Sequence, residues 1–371
     1  MKMNKRKVLF LIVVIVLAAI IGIYFFIKYQ TYNYMQVVQN YENVSTDNAN
    51  YRVCLDGVLR YSRDGVALLA KDGADIWNQA CQMSNPVVEM CGDSFAVGDK
   101  GGTSILVFQK KGLKGEIKTT RPIEKFSVSS QGIVSAILKD EEVPLVMCYD
   151  AKGNVLVKHE VSLNTMGYPT DVAISEDGNT LLVSYLCTEG NEIISKIVYY
   201  YFGAGATEED DYQVLQTEFH DMVIPTTAFL DDDISLLVAD KALVLYKGLN
   251  QPKEFIRIEL EHEIQSVAYS KEMIAILLKN DGTDGYQLVI YNIKGKQLAS
   301  VAVDKEYANI TIAEGQIIMH DGQLCSIYMK NGIHKFDGKM DATILEIFPI
   351  TGLNKYMVIN ASGFQEVKLV Q

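Results

Sequence analysis

Residues 51–79 read Tyr51-Arg-Val-Cys-Leu-Asp-Gly-Val-Leu-Arg-Tyr-Ser-Arg-Asp-Gly-Val-Ala-Leu-Leu-Ala-Lys-Asp-Gly-Ala-Asp-Ile-Trp-Asn-Gln79. Three Asp-Gly steps, Asp56-Gly57, Asp64-Gly65 and Asp72-Gly73, divide the stretch into four short apolar segments: Tyr51–Leu55, Val58–Ser62, Val66–Ala70 and Ala74–Gln79. Asp-Gly between alternating apolar residues signals a tight hairpin, because Gly, and Asp with less penalty than most residues, takes the positive φ of such a turn. Four strands in a meander follow.

The same rhythm returns about every forty residues, the period expected of propeller blades. A second unit runs through Val87–Cys91, Ser94–Val97, Ser104–Phe108 and Glu116–Lys118, and a third through Phe126–Val128, Ile133–Leu138, Leu145–Tyr149 and Val155–Lys158. The fourth begins at Asp171 and carries an insertion, Gly203–Asp211, between its third and fourth strands. A fifth unit covers 226–260, a sixth 266–301 and a seventh 310–341. The last stretch offers Ile344–Pro349, Tyr356–Asn360 and Gln365–Val370, three strands without a fourth. An open edge invites aggregation, and propellers close theirs by borrowing a strand from the other terminus, for which Met35–Asn40 is the candidate. The expected fold is all-β, a β-propeller of seven to eight four-stranded blades, with eight preferred.

Ahead of the repeats, Val8 to Ile27 is twenty consecutive uncharged residues, enough for a helix to span roughly 30 Å of hydrocarbon. A cleaved signal peptide would have a shorter apolar core ending in small residues, whereas this one ends in Tyr24-Phe25-Phe26-Ile27-Lys28. The basic residues before it, Lys2, Lys5, Arg6 and Lys7, belong on the cytoplasmic side. The reading divides the chain into a cytoplasmic tail (1–7), a transmembrane helix (8–27), a stalk with a candidate closing strand (28–50) and an extracytoplasmic propeller (51–371). Net charge is −12, but residues 1–28 carry +5, which leaves −17 on the remainder. A body this acidic repels phosphate backbones, so nucleic acid is not expected as a partner.

The wording of residues 56–77 resembles the pyrroloquinoline-quinone-type propeller repeat, whose last strand typically carries a Trp, here Trp77. Anchor plus propeller together resemble a family of single-pass proteins from Gram-positive anaerobes catalogued only as a domain of unknown function. The resemblance implies fold and location, and no activity. Quinone-binding members use adjacent half-cystines, a stacking Trp and a calcium site of Glu, Asn and Asp. The six Cys here (54, 81, 91, 148, 187 and 325) include no adjacent pair, and Trp77 is the only Trp. Trp77 is therefore expected to pack, and no cofactor is expected.

No linear motif announces chemistry. His159, His220, His262, His320 and His334 lack metal-ligand spacing, no Cys-x-x-Cys occurs, and neither a Gly-x-Ser-x-Gly elbow nor a phosphate loop is present. Asp231-Asp232-Asp233 and the 281–285 loop read as solvated tips. The Tyr199-Tyr200-Tyr201-Phe202 run reads as a strand with aromatics on both packed faces. Glu208, Glu209, Asp210 and Asp211, in the insertion, are the candidate contact for a basic protein partner. Loops joining third to fourth strands share a propeller face with the entry to a closing fourth strand, so this loop should point toward the membrane.

The expected function is that of a membrane-anchored, non-catalytic binding or scaffolding module of the cell envelope, with an envelope or integral-membrane protein as partner. The alternative is a surface hydrolase or lyase acting on envelope polysaccharide. That alternative requires two or three carboxyls converging in the channel.

Overall fold

The computed structural model describes residues 5–41, 48–140, 142–206, 211–280 and 285–371, with helix side chains from Ile12 onward except Lys28. The chain is all-β after its first helix, with eight sheets of four antiparallel strands, the blades of an eight-bladed β-propeller. One compact unit, 44–306, holds blades one to six, and a second, residues 1–43 with 307–371, holds blades seven and eight and the helix.

The strands of the opening stretch fall within one residue of expectation, at Asn50–Cys54, Gly57–Tyr61, Gly65–Leu69 and Asp75–Ala80. The reason for its glycines differs in part. Positive φ occurs at Gly73 (84°) but not at Gly57 or Gly65, and the first turn places it on Leu55 (54°). What Gly57 supplies is room, since a Cβ there would lie 2.1 Å from the Leu69 carbonyl oxygen of the neighbouring strand.

Second and third strands bury both faces, as Val134–Leu138 and Leu145–Tyr149 do along their whole length. They therefore read as unbroken apolar runs. Fourth strands alternate, as in Val155–Glu160 and Lys253–Glu259, because only one face meets protein. The cores lie between consecutive blades: one cluster joins Phe95, Val97 and Phe108 of blade two to Leu59 and Leu68 of blade one. Trp77 extends it. Its indole stacks on Phe108 at 5.2 Å and on Phe95 at 6.2 Å and donates its N–H to the Lys110 carbonyl (3.2 Å), the packing role expected of it. The tyrosine run also behaves as read. Tyr199 packs toward blade five, its hydroxyl 2.7 Å from Ser235 Oγ, while Tyr200 packs into the core shared with blade three.

In the other unit, blade eight is completed from the far end of the sequence. Its sheet runs Ile344–Pro349, Lys355–Asn360, Gly363–Val370 and then Tyr34–Tyr41, with Tyr34 opposite Val370 and Tyr41 opposite Phe364. The helix Lys5–Tyr29 ends only a few residues before this strand, and the link is fastened. The Tyr32 hydroxyl donates to the Ile27 carbonyl (2.7 Å), and Asn354 Nδ2 donates to that hydroxyl (2.7 Å) and to the same carbonyl (3.4 Å). Thr31 Oγ1 donates to the His334 carbonyl (2.8 Å) and the Tyr32 amide to that of Lys335 (2.9 Å). The helix C-terminus, whose last carbonyls have no intrahelical donor, is thus capped by side chains of blade eight and its own link. Among the described residues, no helix is long and apolar enough to cross a membrane.

All six cysteines are free, with Cys54, Cys148 and Cys325 buried.

Candidate functional site

Each blade's first strand has no strand neighbour on its inner side, so its backbone and side chains must find partners in adjacent blades. In the six-blade unit, the first strands of blades two to six meet around a cavity of about 410 Å³. Those strands are Pro86–Cys91, Ile123–Val128, Tyr168–Ile174, Thr226–Asp231 and Ile264–Tyr269. Alternation sends Val88, Phe126 and Val172 into the cores and leaves Glu89, Lys125 and Asp171 on the cavity wall.

Asp171 is the most heavily bonded of these. Its Oδ1 is 3.1 Å from Lys125 Nζ, and its Oδ2 accepts from the Thr227 amide (2.6 Å) and hydroxyl (3.1 Å). One carboxylate thereby ties blades three, four and five together. Burial raises its pKa, and Lys125 and the Thr227 bonds oppose the rise.

Glu89 is the opposite case. Among the described residues its carboxyl has no hydrogen-bond or ion-pair partner. Burial pushes it up to about 7, Arg52 and Lys125 pull it down, and the Asp171 charge adds to the rise. Both cations near it are committed elsewhere: Arg52 Nη1 donates to the Val88 carbonyl (3.1 Å), and Lys125 pairs with Asp171. Tyr269, from blade six, presents a ring to the cavity and is 41% exposed. Surrounding protein raises its phenol well above the usual range, with the charges of Glu89 and Asp171 adding to the effect.

At one end of the cavity, Lys271 Nζ of blade six reaches Glu176 Oε2 of blade four at 2.5 Å. The Glu176 carbonyl also accepts from the Ser130 amide (3.1 Å) and hydroxyl (2.7 Å), which fixes the blade-four turn to blade three. Cys91 lies beside it with its thiol pushed up to about 11, by burial first and the Glu176 charge second, so it is a poor nucleophile at neutral pH.

The carboxylate cluster singled out from the sequence lies elsewhere. Glu208, Glu209 and Asp210 fall outside the described residues, as do 281–284 of the other acidic loop. Asp211 is described, with φ 50°, and lines a second cavity of about 500 Å³ with Phe202, Tyr212 and His159. His159 Nε2 is 3.4 Å from the Tyr200 hydroxyl, and burial lowers the pKa of its imidazole. Among the described residues, no group of three His, Cys, Asp or Glu side chains is placed to hold a metal.

Sequence reading missed Glu89, Lys125 and Asp171. A signal existed: each is a charge in the middle of an apolar first strand, in three successive blades, in the runs Val-Val-Glu89-Met, Ile-Glu-Lys125-Phe and Thr-Asp171-Val-Ala.

Solved structures share this fold across nearly the whole chain. BamB from Moraxella catarrhalis is 13% identical over 91% of this chain and 100% of that one (TM-score 0.52). The C-terminal WD40 domain of Sif2 is 12% identical over 92% and 100% (TM-score 0.60). The computationally designed Ika8 protein is 14% identical over 89% and 99% (TM-score 0.55). At such identities the likeness concerns the fold alone, and it fits the resemblance of residues 56–77 to a propeller repeat. No curated protein matches in sequence. Residues 28–369 match one family model, and the chain belongs to that family, a family of unknown function (DUF5711).

Proposed function

We propose that the protein is a membrane-anchored, extracytoplasmic β-propeller that works as a non-catalytic binding or scaffolding module of the cell envelope. The observation that carries the anchoring is the helix surface. Ile12 to Phe26 expose Ile, Val, Leu, Tyr and Phe side chains to between 43% and 71%, a continuous apolar surface that water does not tolerate and lipid does. The uncharged run Val8–Ile27 and the basic residues before it support the same orientation.

Binding is favoured over hydrolysis by the state of the cavity carboxyls. Glycoside chemistry needs two of them free to act, one as acid and one as base or nucleophile. Of the four carboxyls lining the cavity, Asp171 has both oxygens engaged by Lys125 and Thr227 and Glu176 pairs with Lys271, which leaves Glu89 on the wall and Asp231 beside Lys271. The acidic insertion ending in Asp211 supplies charge for a basic protein surface, since anionic headgroups repel it.

Cross-linking in the native membrane, followed by mass spectrometry, tests the reading. A defined envelope-protein partner is expected, and its recovery should fall when Glu208, Glu209, Asp210 and Asp211 are all replaced by Ser. Equal recovery from that variant refutes the role of the insertion. Full protection of the propeller from protease added to wall-stripped cells refutes the topology.

A further inference from the structure

The Glu89 carboxyl faces a cavity, and every nearby cation is bound to something else. We propose that the space between Glu89 and the Tyr269 ring is a recognition site for a primary ammonium group, carried by a lysine side chain or an amino sugar. The inference rests on reading the propeller as a binding module and names what its channel takes.

Three observations converge. First, the Glu89 side chain is half-buried, and a carboxyl partly withdrawn from water ordinarily finds a partner. Arg52 donates to the Val88 carbonyl and Lys125 pairs with Asp171, so the chain's own cations leave this one open to an incoming N–H donor. Second, the wall beside it is an exposed tyrosine ring, whose negative face attracts ammonium. Third, the charge at the cavity mouth suits a cation, and beside ionised Glu89 two cations balance two carboxylates. The groups acting on Glu89 from adjacent strands are Arg52, Lys125, Asp171 and Tyr269. Lys271 at the mouth meets Glu176, Asp231 and Asp232, and residues beyond 28 carry −17. That field draws cations inward and slows anions. A cavity of about 410 Å³ holds a monosaccharide or one amino-acid side chain.

The ammonium ion binds ionised Glu89 and releases its proton, so binding strengthens as pH rises. With a carboxyl at about 7, the ionised fraction grows from about one-tenth at pH 6 to about nine-tenths at pH 8, roughly tenfold.

The test uses the full chain in detergent micelles, with binding followed by isothermal titration calorimetry. n-Butylammonium, glucosamine and n-butyrate are titrated separately at pH 6 and pH 8. The expected result is saturable binding of n-butylammonium or glucosamine, about tenfold tighter at pH 8 for n-butylammonium and less than tenfold for glucosamine, whose own ammonium loses its proton near neutral pH, and no binding of n-butyrate. Preference between the two amines tells lysine from amino sugar. Glu89→Gln should abolish both binding and its pH dependence. Tyr269→Ala should weaken binding severalfold while keeping the pH dependence, which guards against a Glu89 variant that misfolds. Binding of n-butyrate in preference, pH-independent affinity, undiminished binding by a folded Glu89→Gln variant, or no binding of any amine overturns the proposal. Partner capture without amine binding sinks this inference alone, and amine binding without partner capture sinks the scaffold reading alone.

Discussion

Replacing Tyr32 with Phe removes one oxygen atom and tests whether the helix is truly fastened to blade eight. The Tyr32 ring is 6% exposed and packs among Phe336, Met340 and Ile344, contacts that Phe retains. The hydroxyl donates to the Ile27 carbonyl and accepts from Asn354 Nδ2, both at 2.7 Å. Without it, the Asn354 amide keeps only its 3.4 Å contact with the Ile27 carbonyl. Stranding a buried donor costs about 1–3 kcal/mol. Taking about 2 kcal/mol, the local opening equilibrium should shift about thirtyfold. Burial raises the Tyr32 phenol, so the hydroxyl stays protonated and the loss should not depend on pH across the neutral range. Amide hydrogen exchange, read by mass spectrometry on the full chain, gives the answer segment by segment. Tyr34–Tyr41 and Gly363–Val370 should exchange about thirtyfold faster, and residues 50–303 should not change. Unaltered exchange in Tyr34–Tyr41, or equal acceleration everywhere, refutes the reasoning.

Three further outcomes are expected. The folded-state pKa of Glu89, about 7, lies above the ordinary carboxyl value of 4.5, so the folded state binds its proton more tightly and stability falls as pH rises through that window. Glu89→Gln should match the parent below the window and melt higher above pH 7, by no more than about 3 kcal/mol before discounting for channel water; equal melting at pH 8 would count against the buried charge. Trp77→Leu loses two stacked aromatic contacts and an N–H bond and should cost about 2 kcal/mol in thermal unfolding followed by circular dichroism; an unchanged melting curve would show that the blade-one stack adds nothing. Unfolding without reductant should expose six alkylatable thiols by mass, whereas in the folded protein Cys54, Cys148 and Cys325 resist labelling; a mass showing fewer than six after unfolding would reveal disulfides.

Blade architecture was legible because it is local: Asp-Gly steps and apolar runs lie within a few residues of one another. The borrowed strand was legible for a related reason, since three strands at 344–370 left one edge to fill and Tyr34–Tyr41 was the spare segment that fills it. The cause of the tight turns was harder to read. Whether Gly57 is needed for φ or for clearance depends on how near the Leu69 carbonyl approaches, which the order of residues does not encode. The cavity was illegible for a stronger reason. Asp171 means little until Lys125 and Thr227, 46 residues before and 56 after it, are seen on its two oxygens. Acidic runs such as Glu208–Asp211 draw the eye because they are contiguous, while a convergent site is built from single residues one blade apart.

The pairing of Tyr34 with Val370 also sets a timetable for biogenesis. The strand Tyr34–Tyr41 leaves the ribosome long before Gly363–Val370, the strand it pairs with. At 5–20 residues per second the wait is about 20–70 s, with the intervening blades forming meanwhile. Until then the N-terminal strand is an unpaired edge beside an apolar helix, the kind of segment that chaperones and proteases recognise. A chain interrupted between the two strands never closes blade eight and keeps that degradation signal on display, so the unpaired edge reports whether synthesis has passed Val370.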